Sequence, residues 1–85
     1  MALLFTRDAQ KRLASIPQAE RGQIVKRLRE IAADPAGRHP ATTRLVNTEG
    51  AWRVRQGDWR AVYEISGEGE EVVVIRVGHR REVYR

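Results

Sequence analysis

The run AWRVRQGDWRAVY, from Ala51 to Tyr63, leaves the chain few ways to fold. Trp52 and Val54 alternate with Arg53 and Arg55, so a strand here sends apolar side chains to one face and guanidiniums to the other. Gln56-Gly57-Asp58 is a short turn with a glycine where φ can be positive, and Trp59 to Ile65 reads as the returning strand. The antiparallel pair has one side fit for a core and one fit for an anion. If the register places Arg60 with Arg53 and Arg55, three permanent charges converge on a small area of sheet. Trp52, Trp59 and Tyr63 fall on the core side, as scaffold.

The flanking segments give that pair something to pack on. Ala2 to Phe5 reads as a first strand. Thr6 can cap a short helix with Asp8 in its first turn and Ala9 and Leu13 on its apolar stripe, ended by Ile16-Pro17. A second helix is predicted from Gln18 to about Ala33, where Ile24, Val25, Leu28, Ile31 and Ala32 recur at three- and four-residue spacing. Asp34-Pro35-Ala36-Gly37 stops it. Arg44 to Asn47 is expected as a brief strand before the hairpin. After the glycine-rich acidic turn Ser66 to Glu70, Val72 to Val77 is the strongest strand signal in the chain, and Gly78 is expected to end it. Its continuous apolar character predicts an interior strand with both faces covered to some degree. The plan is α+β: an N-terminal strand and an αα hairpin on one face of a mainly antiparallel twisted sheet, the other face left open.

Eighty-five residues fit one domain, residues 1–85, with a single modest core. The absence of cysteine excludes a disulfide framework and any thiol chemistry. No apolar run approaches the ~18 residues of a membrane span, and the expected setting is cytoplasmic. The formal charge is +5, and 14 of the 16 basic residues are arginine. Arginine grips phosphates and carboxylates through two parallel N–H donors and keeps its charge when partly buried. The run Glu68, Glu70, Glu71 is a solvated turn, with no metal site expected and no cofactor.

Four stretches together resemble the RelE/ParE superfamily of toxins from type II toxin–antitoxin systems. They are F-T-x-x-A-x-K-x-L at Phe5 to Leu13, L-x-x-I-A-x-D-P at Leu28 to Pro35, W-R-V-R-x-G-D-W-R-x-V-Y at Trp52 to Tyr63, and V-G-H-R-R-E-V-Y-R at Val77 to Arg85. The last two are the specific ones. The resemblance implies a microbial RNase-like fold and, in the RelE branch, an endoribonuclease that cuts mRNA on the ribosome and so inhibits translation. In the ParE branch it implies a poison of DNA gyrase. A third alternative is a degenerate toxin that only binds its antitoxin. Retention of the basic constellation and the terminal tyrosine favours the RelE branch. The resemblance assigns Arg53 and Arg55 to RNA binding, and Arg60, Arg80 and Tyr84 to catalysis; Arg81, next to Arg80, is also expected to bind RNA. It also implies a cognate acidic antitoxin that masks the cationic face.

RNA transesterification needs the 2′-hydroxyl deprotonated, the charge of a pentavalent phosphorane stabilised and the leaving 5′-oxygen protonated. Arginines serve the middle task. With a pKa above ~12 they serve the others poorly, and the pair at Arg53 and Arg55 is often lysine in the family. His79, beside Arg80 and with a reference pKa of ~6.5, is therefore the candidate for proton transfer. His39 is expected at the surface.

Overall fold

A computed structural model describes residues 2–34, 37, 39, 42–45, 50–66 and 71–83. In chain order these form β1 (Ala2–Phe5), α1 (Arg7–Ala14), α2 (Gln18–Ala33), β2 (Thr42–Arg44), β3 (Ala51–Gln56), β4 (Trp59–Ser66), β5 (Glu71–His79) and α3 (Arg80–Val83). The strands make one sheet in the order β1-β5-β4-β3-β2. β3, β4 and β5 form an antiparallel meander, β2 pairs antiparallel with β3, and β1 runs parallel to β5. The expected α+β arrangement is the one observed.

Thr6 ties the start of α1 to the sheet. Its hydroxyl accepts from the Ala9 N–H at 3.2 Å and donates to the Ile75 carbonyl at 3.2 Å, while its own N–H donates to the Val74 carbonyl at 3.0 Å. One residue thus caps the helix and continues the β1–β5 ladder past its last register pair. Pro17 supplies the first carbonyl of α2, accepting from the Arg21 N–H at 2.9 Å, and needs no N–H of its own there. Ile24, Leu28, Ile31 and Ala32 of α2 are buried, and with Ala9 and Ile16 they meet Val54, Ala61, Tyr63, Val72, Val74 and Val77 of the sheet. Trp52 and Trp59 are half-buried against this cluster, as scaffold.

Boundaries differ from expectation in several places, among them Ser66, which ends β4 paired with Glu71 and is not in the turn. The brief strand before the hairpin is Thr42–Arg44, not Arg44 to Asn47, because Thr42 pairs with Val54 and Arg44 with Trp52; Val46 and Asn47 lie outside the described residues. The turn is shorter, with Gln56 paired to Trp59, leaving Gly57 (φ +60°) and Asp58 between the strands. Gly78 does not end β5. It pairs with Arg60, and His79 pairs with Trp59, so the strand extends two residues alongside the full length of β4 before α3 begins.

Candidate functional site

The register decides which arginines share a face, because directly opposed residues of neighbouring strands point the same way. Arg55 stands opposite Arg60, and Arg60 opposite Gly78; Arg53 stands opposite Val62, and Val62 opposite Arg76. Arg53, Arg55 and Arg60 therefore share the face away from α1 and α2. The same face carries Glu64, opposite Ala51, one step further from the hairpin turn. It is less open than expected: Val62, flanked by Arg53 and Arg76, is 7% exposed and Arg60 is 9% exposed. Long arginine stems beside them shield apolar surface while their charged ends reach outward.

The three arginines are not equivalent. Arg55 is exposed and Arg53 half-buried. The Arg60 guanidinium folds back on its own turn, its Nη1 donating to the carbonyls of Gly57 at 2.8 Å and Trp59 at 2.9 Å. Arg60 Nε is buried with no hydrogen-bond partner among the described residues. A buried unpaired donor costs about 1–3 kcal/mol. The Nη1 bonds, not this Nε, hold the turn, and they fix a positive charge beside Arg55.

The same turn fixes the start of α3. The Asp58 carbonyl, lying between the two that Arg60 holds, accepts from the Arg80 N–H at 2.8 Å. Arg80 is thereby anchored by its backbone beside the hairpin tip, with its side chain exposed, as is that of Arg81. Tyr84 lies outside the described residues.

His79 is on the other side of the strand. Its partner Trp59 faces the helices, and the rings meet edge to face with centroids 5.7 Å apart. The Arg81 N–H donates to His79 Nδ1 at 3.4 Å. The imidazole borders a cleft of about 360 Å³ with Glu20, Gln23, Gln56, Asp58 and Trp59. Across it the Trp59 indole N–H donates to the Glu20 carboxylate. The structure brings Arg53, Arg55 and Arg60 together on one face, with Arg80 at its end, and sets His79 behind them at the end of the same strand. His39 is half-buried, its Nε2 2.6 Å from the Asp34 carbonyl, and no group of three or more His, Cys, Asp or Glu placed to hold a metal occurs among the described residues.

A model of the ParE toxin of the type II toxin–antitoxin system parDE matches residues 3–84. Toxin RelG of Mycobacterium tuberculosis is 31% identical over 84 residues, which cover 95% of this chain and 92% of RelG. The chain belongs to the RelE/ParE superfamily of type II toxins. Among solved structures of the superfamily, the isolated E. coli RelE toxin superposes with a TM-score of 0.79 at 29% identity, covering 98% of this chain and 89% of RelE. The intact E. coli RelBE toxin–antitoxin complex matches with a TM-score of 0.78 at 28% identity, over 92% of this chain and 94% of that one. The RelB–RelE complex of Methanococcus jannaschii, at 22% identity and a TM-score of 0.79 over 95% of this chain and 94% of that one, shares the fold.

One feature of this face was not anticipated from sequence. Arg76, exposed on β5, joins the row of Arg53 and Val62. The signal was a phase break: Val72 and Val74 alternate inward, but Val77, not residue 76, is the next to be buried. Among the described residues no helix is long and apolar enough to cross a membrane.

Proposed function

We propose that this toxin is a metal-independent endoribonuclease that cuts mRNA in the cytoplasm on the translating ribosome. The observation that carries the reading is the register of the hairpin, which sets Arg55 opposite Arg60 and Arg53 one row away on a single face. Arg53, Arg55 and Arg81 bind the RNA backbone. Arg80, exposed at the end of that face, meets the scissile phosphate as negative charge builds on its oxygens. Arg60 holds the hairpin turn from below, adding positive potential at a fixed position. The 2′-oxygen attacks phosphorus, the bond to the 5′-oxygen breaks, and the products are a 2′,3′-cyclic phosphate and a 5′-hydroxyl. The proton leaves the 2′-hydroxyl and one is delivered to the 5′-oxygen. His79 stands behind the arginine face at the end of β5, so it serves that transfer only for RNA that wraps round the end of the strand past Arg80; Tyr84 is assigned to orient the nucleophile.

The partner that restrains the activity is a cognate acidic antitoxin, by analogy with the RelB chains bound to the RelE neighbours. Opposite charge steers such an encounter, so its on-rate falls as salt rises. The match to the ParE model favours a second reading, a gyrase poison without hydrolysis.

Primer extension on an mRNA translated in a bacterial extract separates the two. New 5′ ends that appear only during translation, and vanish with Arg80→Ala and Tyr84→Phe, are the expected result. An intact message together with inhibited DNA supercoiling would replace this reading with the second.

A further inference from the structure

The meander contains one irregularity, and it lies beside the arginine face. Val62 pairs with Arg76, but the next residue, Tyr63, pairs with Val74, so one step along β4 is two along β5 and Ile75 is the extra residue. This is a β-bulge, a device that re-aims side chains and recurs next to functional sites. Strict alternation from Val72 and Val74, both 0% exposed, would drive residue 76 into the core under α1 and α2. The bulge instead sends Arg76 to the far face and returns Val77 to the core at 4% exposed. Thr6 pins it from the neighbouring edge through the hydroxyl bond to the Ile75 carbonyl.

We propose that Arg76 is a phosphate-binding residue that lengthens the RNA track of this toxin across β5. The inference rests on the endoribonuclease reading and adds to it a residue outside the motif positions from which that reading starts. Neighbouring strands are ~4.8 Å apart, so Arg53 and Arg76, two strands apart in one row, have backbones separated by about 10 Å. Side chains of that length on either side of the low ridge of Val62 can hold successive phosphates of one strand. Beyond Arg76 the surface does not turn acidic overall. A groove of about 570 Å³ between β5 and α1 is bordered by Lys11 and Arg12, with Asp8 as the single carboxylate among its described lining residues. The occupant that fits an arginine row continued by a basic groove is a single-stranded polyanion with regularly spaced charges, and RNA is the one whose cleavage the adjacent residues are assigned.

The test is the salt dependence of binding to a 2′-O-methyl RNA 12-mer, which cannot be cleaved by its own 2′-oxygen, followed by fluorescence anisotropy on the full chain. Each phosphate contact to a single strand contributes about 0.7 to the slope of log K against log salt. Arg76→Gln is expected to lower that slope by ~0.7, Arg76→Lys to keep it, and Arg29→Gln, on the exposed side of α2, to leave it unchanged. An Arg76→Gln slope equal to wild type while Arg55→Gln lowers it would overturn the assignment and leave the endoribonuclease reading standing. An unchanged RNA slope with weakened binding to poly-glutamate would give Arg76 to an acidic protein instead. A wild-type slope near zero would overturn the Arg76 track, while primer extension during translation decides the endoribonuclease reading separately.

Discussion

On the helix side of β4, Trp59, Ala61, Tyr63 and Ile65 meet the apolar stripes of α1 and α2; on the opposite side of the same strand, Arg60 stands beside Arg55, and Val62 between Arg53 and Arg76. The two faces obey different rules. The first is specified by volume and removal from water, and many apolar sets of similar shape would serve. The second is specified by where charge is held, and a side chain of equal size without charge would not serve. One hairpin builds both, because a strand alternates its side chains and the hairpin turn sets which residues stand opposite each other. A change confined to one face should therefore move stability or anion chemistry, but not both.

The largest effect is expected where that separation is tested from the core. Leu28 is 0% exposed at the centre of α2. Leu28→Ala is expected to cost about 2–5 kcal/mol in urea denaturation, a large share of a stability of about 5–15 kcal/mol. RNA bound by the fraction still folded should keep the wild-type salt slope. A changed slope would mean that the cationic face depends on core packing and would break the comparison.

Next comes the charged face. Arg55 is exposed and opposite Arg60. Arg55→Gln is expected to weaken RNA binding, and with it cleavage at limiting RNA, by about 10- to 100-fold, the scale of losing one charge-assisted hydrogen bond of about 1.5–3 kcal/mol, with stability held within ~0.5 kcal/mol. A stability loss of several kcal/mol in thermal unfolding would show that Arg55 is scaffold.

A smaller effect belongs to Tyr63, 2% exposed on the core side, where burial pushes the phenol up from 10.0 to about 12. A raised pKa means that the folded chain keeps its proton while the unfolded chain has lost it. Stability is therefore insensitive to this group below pH 10, falls by about 1.4 kcal/mol per pH unit between the two values, and levels above the higher one. Tyr63→Phe should remove that fall. Urea midpoints measured between pH 9 and 11 decide it, and a Tyr63→Phe profile parallel to wild type would sink the assignment.

The elements were legible in sequence wherever a period was long. Leu28 and Ile31 announce α2, and Trp52-Arg53-Val54-Arg55 announces β3 together with the face of each of its residues. Thr42–Arg44 was misplaced because three exposed or half-exposed residues have no period to read; their position is set by pairing with Val54 and Trp52, far away in sequence. Arg60 was legible as a member of the charged face but not as the side chain that grips Gly57 and Trp59, since a hydrogen bond from guanidinium to turn carbonyl leaves no mark on composition. His79 was legible as titratable but not as standing on the helix side, because that depended on β5 running through Gly78. Arg76 was hidden by the bulge, which appears in sequence only as one missed beat in a run of valines.

The smallest effect comes from a surface to which neither face lays claim. Gly22 lies exposed within the second turn of α2, and a Cβ built there meets nothing within 4 Å. Glycine inside a helix is less favourable than alanine by roughly 0.5–1 kcal/mol, because it restricts the unfolded chain less and leaves backbone more open to water. Gly22→Ala should therefore raise stability by about that amount in chemical denaturation. Its position is on the side of α2 turned from Ile24, Leu28 and Ile31, so the core is not repacked. RNA binding and cleavage should stay at wild-type values. Were cleavage to fall while stability rose, the outer surface of α2 would itself contact the target, and the division of this protein into a packing face and a charged face would need a third member.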